Sequence, residues 1–157
     1  MKITVLPEYA AKAYSYNEDL NKCIFISITC PDAEDVHFFN NDNLIAIFNM
    51  KFNDIDNSDW FVDGKKLESP KLEDFKGLKN FLDEHIDDSI EEIVVHCGAG
   101  VSRSAGVALA IAEYLNIPND IATSKNYCPN LWVNKLAKQE LGIFKDEDFY
   151  KKIFEAK

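Results

Sequence analysis

Short apolar runs bounded by polar residues mark the strands that the sequence predicts. Three runs, at residues 23–28, 44–48 and 93–95, are rich in β-branched or aromatic side chains, as is typical of strands buried inside a sheet. A fourth run, at residues 3–6, is predicted to form a strand at the edge. The pattern therefore predicts a sheet of buried strands with one edge strand.

Elsewhere apolar residues recur at helical spacing. They fall every three or four positions over 72–86, which draws one apolar stripe down a helix that separates two of the strands. Residues 104–115 are almost wholly Ala, Val, Leu and Ile, which predicts a helix buried on most sides, and further helices are predicted at 118–127, 129–141 and 146–155. Strands that alternate with helices predict an α/β fold, with a central, mostly parallel sheet of four to five strands flanked by helices.

The composition is that of one globular domain. The chain has 157 residues, 46% of them hydrophobic, with only 6 Gly and 5 Pro, which excludes a disordered or collagen-like chain. It contains no repeat, low-complexity tract or Gly/Ser linker. A chain of this length buries roughly two thirds of the surface that its unfolded form exposes. We therefore expect a single domain over residues 1–157.

Charge and cysteine content limit the partners and the compartment. The 17 basic and 27 acidic residues give a net charge of −10, which opposes binding to nucleic acid or to an anionic membrane. No apolar run approaches the roughly 20 residues that cross a bilayer, and the first ten residues lack the basic and apolar regions of a secretory leader. The four scattered cysteines suggest no disulfide framework. We therefore expect a reducing, cytoplasmic location.

The segment at residues 94–104, which reads VVHCGAGVSRS, carries the candidate chemistry. It predicts a strand, a turn of small residues and then the buried helix, so that backbone N–H groups and the positive end of the helix dipole can bind one phosphate-sized anion. Arg103 adds a planar fork for two phosphoryl oxygens. The same groups favour the thiolate of Cys97 and lower its pKa below the free value of about 8.5. The predicted phosphate-binding residues are Gly98, Ala99, Gly100, Val101, Ser102 and Arg103.

A family resemblance rests on this segment. A His directly before the Cys, five residues between Cys and Arg, and a Ser directly after the Arg lie between an apolar strand and an apolar helix. This arrangement resembles the cysteine-dependent protein tyrosine phosphatases, most of all their compact dual-specificity branch. The likeness is strong over residues 44–141, whereas residues 1–40 match only in general layout. The resemblance implies a phosphatase-like fold and a phosphomonoester hydrolase.

The resemblance also implies a role for each residue of the motif. Cys97 would attack the phosphorus and form a phosphocysteine, while Arg103 and the loop N–H groups would stabilise the charge of the transition state. His96 would hydrogen-bond into the loop and help to set the pKa of Cys97. Ser104 would donate to the sulfur and ease its departure in the second step. Neither a metal nor another cofactor is implied.

A carboxylate upstream of the motif is needed as the general acid. Asp54 is the predicted acid, because the family's acid follows the strand that here lies at 44–48, in a similar aromatic and polar setting. Asp54 precedes the cysteine by 43 positions, a longer spacing than is usual for the compact branch, so Asp56 and Asp59 stay as alternatives. The extra length is expected to form a small excursion beside the site, with a turn at residues 63–64.

Several residues around the motif have two interpretations. Asn130 either contacts the site, as a Pro-Asn pair does in related enzymes, or simply caps a helix. Phe52, Trp60 and Phe61 either flank an aryl phosphate or pin the acid segment to the core. The remaining cysteines, Cys23, Cys30 and Cys128, are predicted to be small apolar or surface residues; the alternative is that one forms a reversible disulfide with oxidised Cys97.

Two rival functions use a similar loop. Arsenate reductases and rhodanese-like sulfurtransferases also place a cysteine in an oxyanion-binding turn, but a thiol relay needs a second cysteine soon after the first, and the next here is Cys128. A pseudophosphatase binds phosphorylated partners without turnover; such proteins commonly lack the cysteine or the arginine, and this chain has both.

The residues of the loop also bear on the substrate. Lipid and polyphosphate phosphatases of the superfamily usually carry lysines in the loop, and residues 98–102 contain none. The predicted partner is therefore a phosphorylated protein or a small aryl phosphate, bound by a monomer. Lysines such as Lys51, Lys65 and Lys66 are expected to help this acidic chain to capture its anionic substrate.

Overall fold

A parallel four-stranded sheet forms the centre of the molecule. The structure is a computed structural model that describes residues 1–143, 153 and 155–157. It confirms the predicted α/β class and a sheet of four strands, and it is consistent with the phosphatase-like fold that the resemblance implies. The strands are β1 Lys2–Pro7, β2 Cys23–Thr29, β3 Leu44–Lys51 and β6 Glu92–Cys97, with a separate antiparallel pair, β4 Trp60–Val62 and β5 Lys65–Leu67. The order of strands across the sheet is β1-β6-β2-β3.

Helices cover the sheet on both faces. They are α1 Glu8–Ser15, α2 Leu78–His85, α3 Arg103–Leu115 and α4 Leu131–Glu140, with a short 3-10 helix at Leu72–Phe75. Alternate residues of β2 and β6 point to opposite faces: Phe25 and Val94 pack in the smaller cluster beside α1, whereas Ile24 and Ile93 join the larger core with α2, α3 and α4. Both central strands are therefore buried throughout. None of the helices in these described residues has the length and apolar character needed to cross a bilayer.

The two outer strands differ from the central pair. β1 lies at one edge, as predicted. β3 lies at the other edge and alternates between partly buried and exposed residues, with Ile45 and Ile47 exposed. The expectation that the apolar run at 44–48 is buried is therefore wrong, because strand order, which apolar content alone does not specify, puts it at the edge.

The single amphipathic helix predicted over 72–86 is two elements. The 3-10 helix ends before Gly77, whose backbone is left-handed, with φ of 94°, and α2 begins at the next residue. A residue in this conformation cannot continue a right-handed helix, and its N–H donates to Glu140 Oε1 instead. The apolar spacing still holds, since Phe75, Leu78 and Leu82 all reach the core.

The predicted helix at 118–127 is absent, and the segment consists of turns. Asn119 accounts for part of this difference: its side chain donates to Ile117 O and accepts from the Ile121 N–H, so local side-chain bonds replace the helical ladder. The next prediction, 129–141, is confirmed as α4. The helix predicted at 146–155 lies outside the described residues, apart from the single positions 153 and 155.

Candidate active site

The loop between β6 and α3 lies where the central strand of the sheet meets a helix N-terminus. Cys97 is the last residue of β6 and Arg103 the first of α3. The loop is held closely against the end of β1: a Cβ added at Gly100, where φ is 70°, would lie 2.4 Å from Pro7 N, and the Glu8 N–H donates to Gly98 O at 3.1 Å. Only a glycine fits at position 100, because any side chain there would clash with the backbone of β1.

The sulfur of Cys97 lies among hydrogen-bond donors. Its Sγ is 3.0 Å from Ser104 Oγ, and the side chain is buried. Burial favours the neutral thiol and would raise the pKa of Cys97, but the Ser104 hydroxyl, the N–H groups of Ser104 and Gly100 and the charge of Arg103 outweigh it. The pKa of Cys97 is therefore held below its ordinary value, which favours a nucleophilic thiolate.

Arg103 is buried beside this sulfur with part of its guanidinium unused. Its Nη1 donates to Phe52 O at 3.0 Å and to Cys30 Sγ at 3.6 Å. Its Nε is buried and has no hydrogen-bond partner among the described residues. An unsatisfied charged donor at a helix N-terminus is costly unless an anion binds there. The guanidinium is thus held in place through Nη1, while its Nη2 lies at the loop, 3.5 Å from where a Cβ on Gly98 would be.

His96 is held by backbone and hydroxyl partners in the core. Its Nε2 is 2.6 Å from Ser27 Oγ and its Nδ1 is 3.2 Å from Cys97 O. Burial lowers the pKa of His96, so the neutral ring is favoured. The imidazole therefore contacts the backbone at the start of the loop, as expected, whereas its effect on the pKa of Cys97 stays a prediction.

The structure brings one of the three candidate acids to the loop. Asp54 Oδ1 accepts from Ser102 Oγ at 2.8 Å and from Asn130 Nδ2 at 3.0 Å. Asp56 instead accepts from Ser58 and Trp60. Both donors to Asp54 reach the same oxygen, which leaves Oδ2 available to a ligand in the loop.

The third candidate, Asp59, accepts from the Ser69 N–H at 2.8 Å and pairs with Lys66 at 3.3 Å. Hydrogen bonds from these partners hold its pKa below the ordinary value. Among the contacts of the described residues, neither Asp59 nor Asp56 reaches the loop, so the geometry favours Asp54.

Asn130 fulfils both of its interpretations. Its side chain caps α4 by accepting from the Val133 N–H at 3.0 Å. Its amide also donates to Asp54 and to Ile55 O at 3.1 Å, while its own N–H donates to Ser102 O at 3.0 Å. Asn130 therefore connects α4, the segment that carries Asp54 and the loop between β6 and α3.

The aromatic residues near Asp54 separate into two groups. Phe52 is buried and stacks on Phe75 at 4.8 Å between ring centroids, so it pins the start of the acid segment to the core. Trp60 is 50% exposed and Phe61 73% exposed. Both belong to the β4–β5 hairpin, which is the excursion expected around residues 63–64.

A cleft of about 530 Å³ opens beside Asp54. Its walls are residues 30–32, 53–55 and 65–68. The lysines expected to attract substrate are neutralised here: Lys65 pairs with Asp32 at 3.0 Å, and Lys66 with Asp59. Lys51 likewise pairs with Asp35 at 3.1 Å. These three lysines are therefore already paired, whereas Arg103 beside the loop keeps a donor without a partner.

The other three cysteines occupy different surroundings. Cys23 is buried, and burial together with the charge of Glu92 raises its pKa to about 12, so it is a core thiol as predicted. Cys30 and Cys128 are exposed. Cys30 is the one that touches the loop's arginine, while the N–H of Cys128 donates to Val101 O at 3.0 Å.

Several residues that support the site were not anticipated from the sequence. The Ser27 hydroxyl hydrogen-bonds to His96. The carbonyl of Phe52 accepts a hydrogen bond from Arg103, and the N–H of Glu8 donates one to the loop at Gly98. Ser27 interrupts an otherwise apolar strand, and that interruption could have identified it. The other two act through backbone atoms, and side-chain patterns carry no information about those.

Within the described part of the chain, no group of three or more His, Cys, Asp or Glu side chains is placed to hold a metal ion. The comparisons with protein-family models and with curated proteins found no match to the chain.

Proposed function

We propose that the chain is a phosphomonoester hydrolase of the protein tyrosine and dual-specificity phosphatase type, which acts through a phosphocysteine. The observation that carries this proposal is the position of the Cys97 sulfur, whose pKa is lowered although it is buried, next to an arginine with an unused Nε. A thiolate and a cationic fork directed at one small space suit attack on a bound phosphoryl group.

In the first step, the Cys97 thiolate attacks the phosphorus and the bond from phosphorus to the leaving oxygen breaks. The loop N–H groups and Arg103 stabilise the charge on the three other oxygens. Asp54 donates its proton to the leaving oxygen. Because Oδ1 already accepts two hydrogen bonds, Oδ2 carries that proton. The alcohol or phenol leaves, and the phosphoryl group stays on sulfur.

In the second step, a water attacks the phosphocysteine and the ionised Asp54 accepts the proton of that water. The bond between sulfur and phosphorus breaks, and the thiolate forms again. The Ser104 hydroxyl, 3.0 Å from the sulfur, stabilises the departing thiolate by hydrogen bonding. Inorganic phosphate then leaves the loop, and the enzyme returns to its starting state.

The proposed substrate is a phosphorylated protein or a small aryl phosphate. The loop lacks lysines, and Lys51, Lys65 and Lys66 are each paired with an aspartate, so no cationic surface is built for additional phosphates. The charge of −10 opposes nucleic acid and anionic membranes as partners. We propose a monomer in a reducing, cytoplasmic compartment, which suits a site that needs a free Cys97.

Turnover of aryl phosphates in the presence of EDTA tests this function. We expect the wild-type protein to hydrolyse p-nitrophenyl phosphate best below neutral pH, with inhibition by vanadate, and Cys97→Ser to show no turnover. Asp54→Ala is expected to lose about 10²–10⁴-fold in kcat. The loss is larger with phenyl phosphate than with p-nitrophenyl phosphate, because phenolate is the poorer leaving group and needs the acid more.

Asp56→Ala and Asp59→Ala are the matched controls and are expected to keep most of the activity. If one of them lost activity while Asp54→Ala kept it, the acid assignment would be wrong but the class would stand. Full turnover by Cys97→Ser would overturn the class.

A further inference from the structure

The β5 strand turns its free edge toward the cleft beside the acid. Four consecutive residues, 65–68, line that cleft. Three of them, 65–67, form β5. Since side chains of a strand alternate between its two faces, consecutive strand residues that all line one cavity place the edge of the strand at that cavity. On the other edge, β5 pairs with β4. The cleft is thus bounded by an unpaired strand edge.

The turn of the hairpin determines which backbone groups lie on that edge. Asp63 and Gly64 have φ of 50° and 75°, as in a two-residue type I′ turn. In such a hairpin the flanking pair, Val62 and Lys65, exchanges both backbone hydrogen bonds. The next residue, Lys66, lies opposite Phe61 in a non-hydrogen-bonded pair. Its N–H and C=O therefore point away from β4, toward the cleft.

We propose that this edge binds the main chain next to the phosphorylated residue of a protein substrate, as an added strand on β5. The inference rests on the proposed function, since it uses the phosphate loop as the anchor. The cleft is continuous with that site, because Asp54 and Cys30 line it and both contact residues of the loop or its arginine. A chain leaving the loop enters the cleft directly.

The walls of the cleft suit a peptide with uncharged flanking residues. Pro31, Ile55 and Leu67 provide apolar surface, while the two lysines of β5 are already paired with aspartates. The carbonyl of Glu68 accepts from Asn53 Nδ2 at 3.1 Å, which leaves Lys66 as the centre of recognition. Main-chain hydrogen bonds to a strand edge give affinity for peptides of many sequences, and pockets for side chains add specificity.

Lys66→Pro and Lys66→Ala form a matched pair that tests the edge. Proline removes the N–H that points to the cleft without removing a bond to β4, whereas alanine keeps the N–H and removes the same charge. With a phosphotyrosine peptide flanked by Val, Ser and Ala, we expect Lys66→Pro to lower kcat/KM about three- to tenfold relative to Lys66→Ala. Because both variants lack the same charge, they should hydrolyse p-nitrophenyl phosphate at rates equal to each other.

N-methylation of the peptide, one flanking residue at a time, tests the wild-type protein without a mutation. One or two methylated positions should lower kcat/KM by a similar factor, and that loss should persist in Lys66→Pro, because methylation removes a peptide N–H that donates to the carbonyl at position 66, and proline keeps that carbonyl. If the wild-type protein hydrolyses p-nitrophenyl phosphate but neither methylation nor Lys66→Pro affects the peptide, the added strand is wrong and the proposed function stands. If p-nitrophenyl phosphate is not hydrolysed at all, the proposed function itself fails.

Discussion

Strand β6 begins at a buried carboxylate, Glu92, and ends at a buried thiol, Cys97, and its two ends affect cysteine in opposite ways. Cys23 lies opposite Glu92 in the sheet register, where burial and then this carboxylate raise its pKa to about 12. Cys97 is also buried, yet its pKa is lowered. Because both cysteines are buried, burial alone does not decide which of the two thiols ionises.

The surrounding dipoles account for the difference. At the start of β6, the nearby donors bind the carboxylate of Glu92 and not the sulfur of Cys23. Tyr14 OH and Thr4 Oγ1 donate to this carboxylate at 2.6 and 2.5 Å, and Lys2 Nζ forms an ion pair with it at 3.6 Å. At the end of β6, the loop N–H groups and the first turn of α3 face the sulfur. Parallel strands point their carboxyl ends toward helix N-termini, so one end of this sheet suits an ionised thiol and the other does not.

Alkylation by iodoacetate measures this contrast and is expected to show the largest effect. Near pH 7, a thiol with a pKa of about 12 is ionised in only about 10⁻⁵ of molecules, whereas the lowered pKa of Cys97 gives it a thiolate fraction above the roughly 10⁻² of an ordinary thiol. We therefore expect Cys97 to be modified more than about 10³-fold faster than Cys23, as followed by mass spectrometry of the two peptides.

The exposed cysteines provide the internal control for that experiment. Cys30 and Cys128 are exposed, yet both should be modified more slowly than Cys97 near pH 7, because only the Cys97 sulfur faces the loop N–H groups that favour a thiolate. Equal rates at Cys97 and Cys128 below neutral pH would mean that the loop does not hold a thiolate, and the contrast between the two ends of β6 would be lost.

Replacement of Arg103 by lysine should reduce activity by a smaller factor. Arg103→Lys keeps a positive charge near the sulfur but removes the planar fork, the bond to Phe52 O and the unused Nε. We expect kcat/KM for p-nitrophenyl phosphate to fall about 10²–10³-fold, with little change in the rate of Cys97 alkylation at high pH.

Glu92→Gln, at the opposite end of β6, is the matched control and should keep the wild-type kcat/KM. If Glu92→Gln lost as much kcat/KM as Arg103→Lys, the two ends of β6 would be coupled, which contradicts the separate surroundings of Cys23 and Cys97.

The predictable parts of the molecule are those whose partners are close in the sequence. Cys97 and Ser104 are seven positions apart, and a strand, a small-residue turn and an apolar helix place them together, so the loop could be foreseen. Asp54 and Asn130 are 76 positions apart. Their contact depends on how α4 packs on α3, and no local pattern contains that information.

The same distinction explains the errors in the fold. Hydrophobic spacing found the four strands of the central sheet and α3, because the core selects the period of each of these elements directly. It missed the break at Gly77 and the turns after residue 117, where single backbone angles and Asn side-chain bonds override the apolar pattern. It also gave no strand order, so the exposure of β3 followed only from the structure.

The smallest expected effect is on the pH dependence of the free energy of unfolding. Measuring it compares Cys23 with Cys97 without any substrate. The pKa of Cys23 is raised from its ordinary value near 9 to about 12 in the folded protein, so above about pH 9 the unfolded chain loses this proton first. Stability then falls as the pH rises, by up to about 1.4 kcal/mol per pH unit from this group. Cys23→Ala lacks this dependence.

Urea unfolding at about pH 8 and about pH 10 measures the difference between the wild-type protein and Cys23→Ala. We expect the stability lost through the substitution to be smaller by about 1 kcal/mol at the higher pH, since only the wild-type protein carries the Cys23 thiol. Cys97→Ala should show the opposite sign: the ionised Cys97 contributes stability above its unfolded pKa, and that contribution is lost as the pH falls through the lowered pKa. Parallel curves for both variants would contradict the opposite shifts at the two ends of β6.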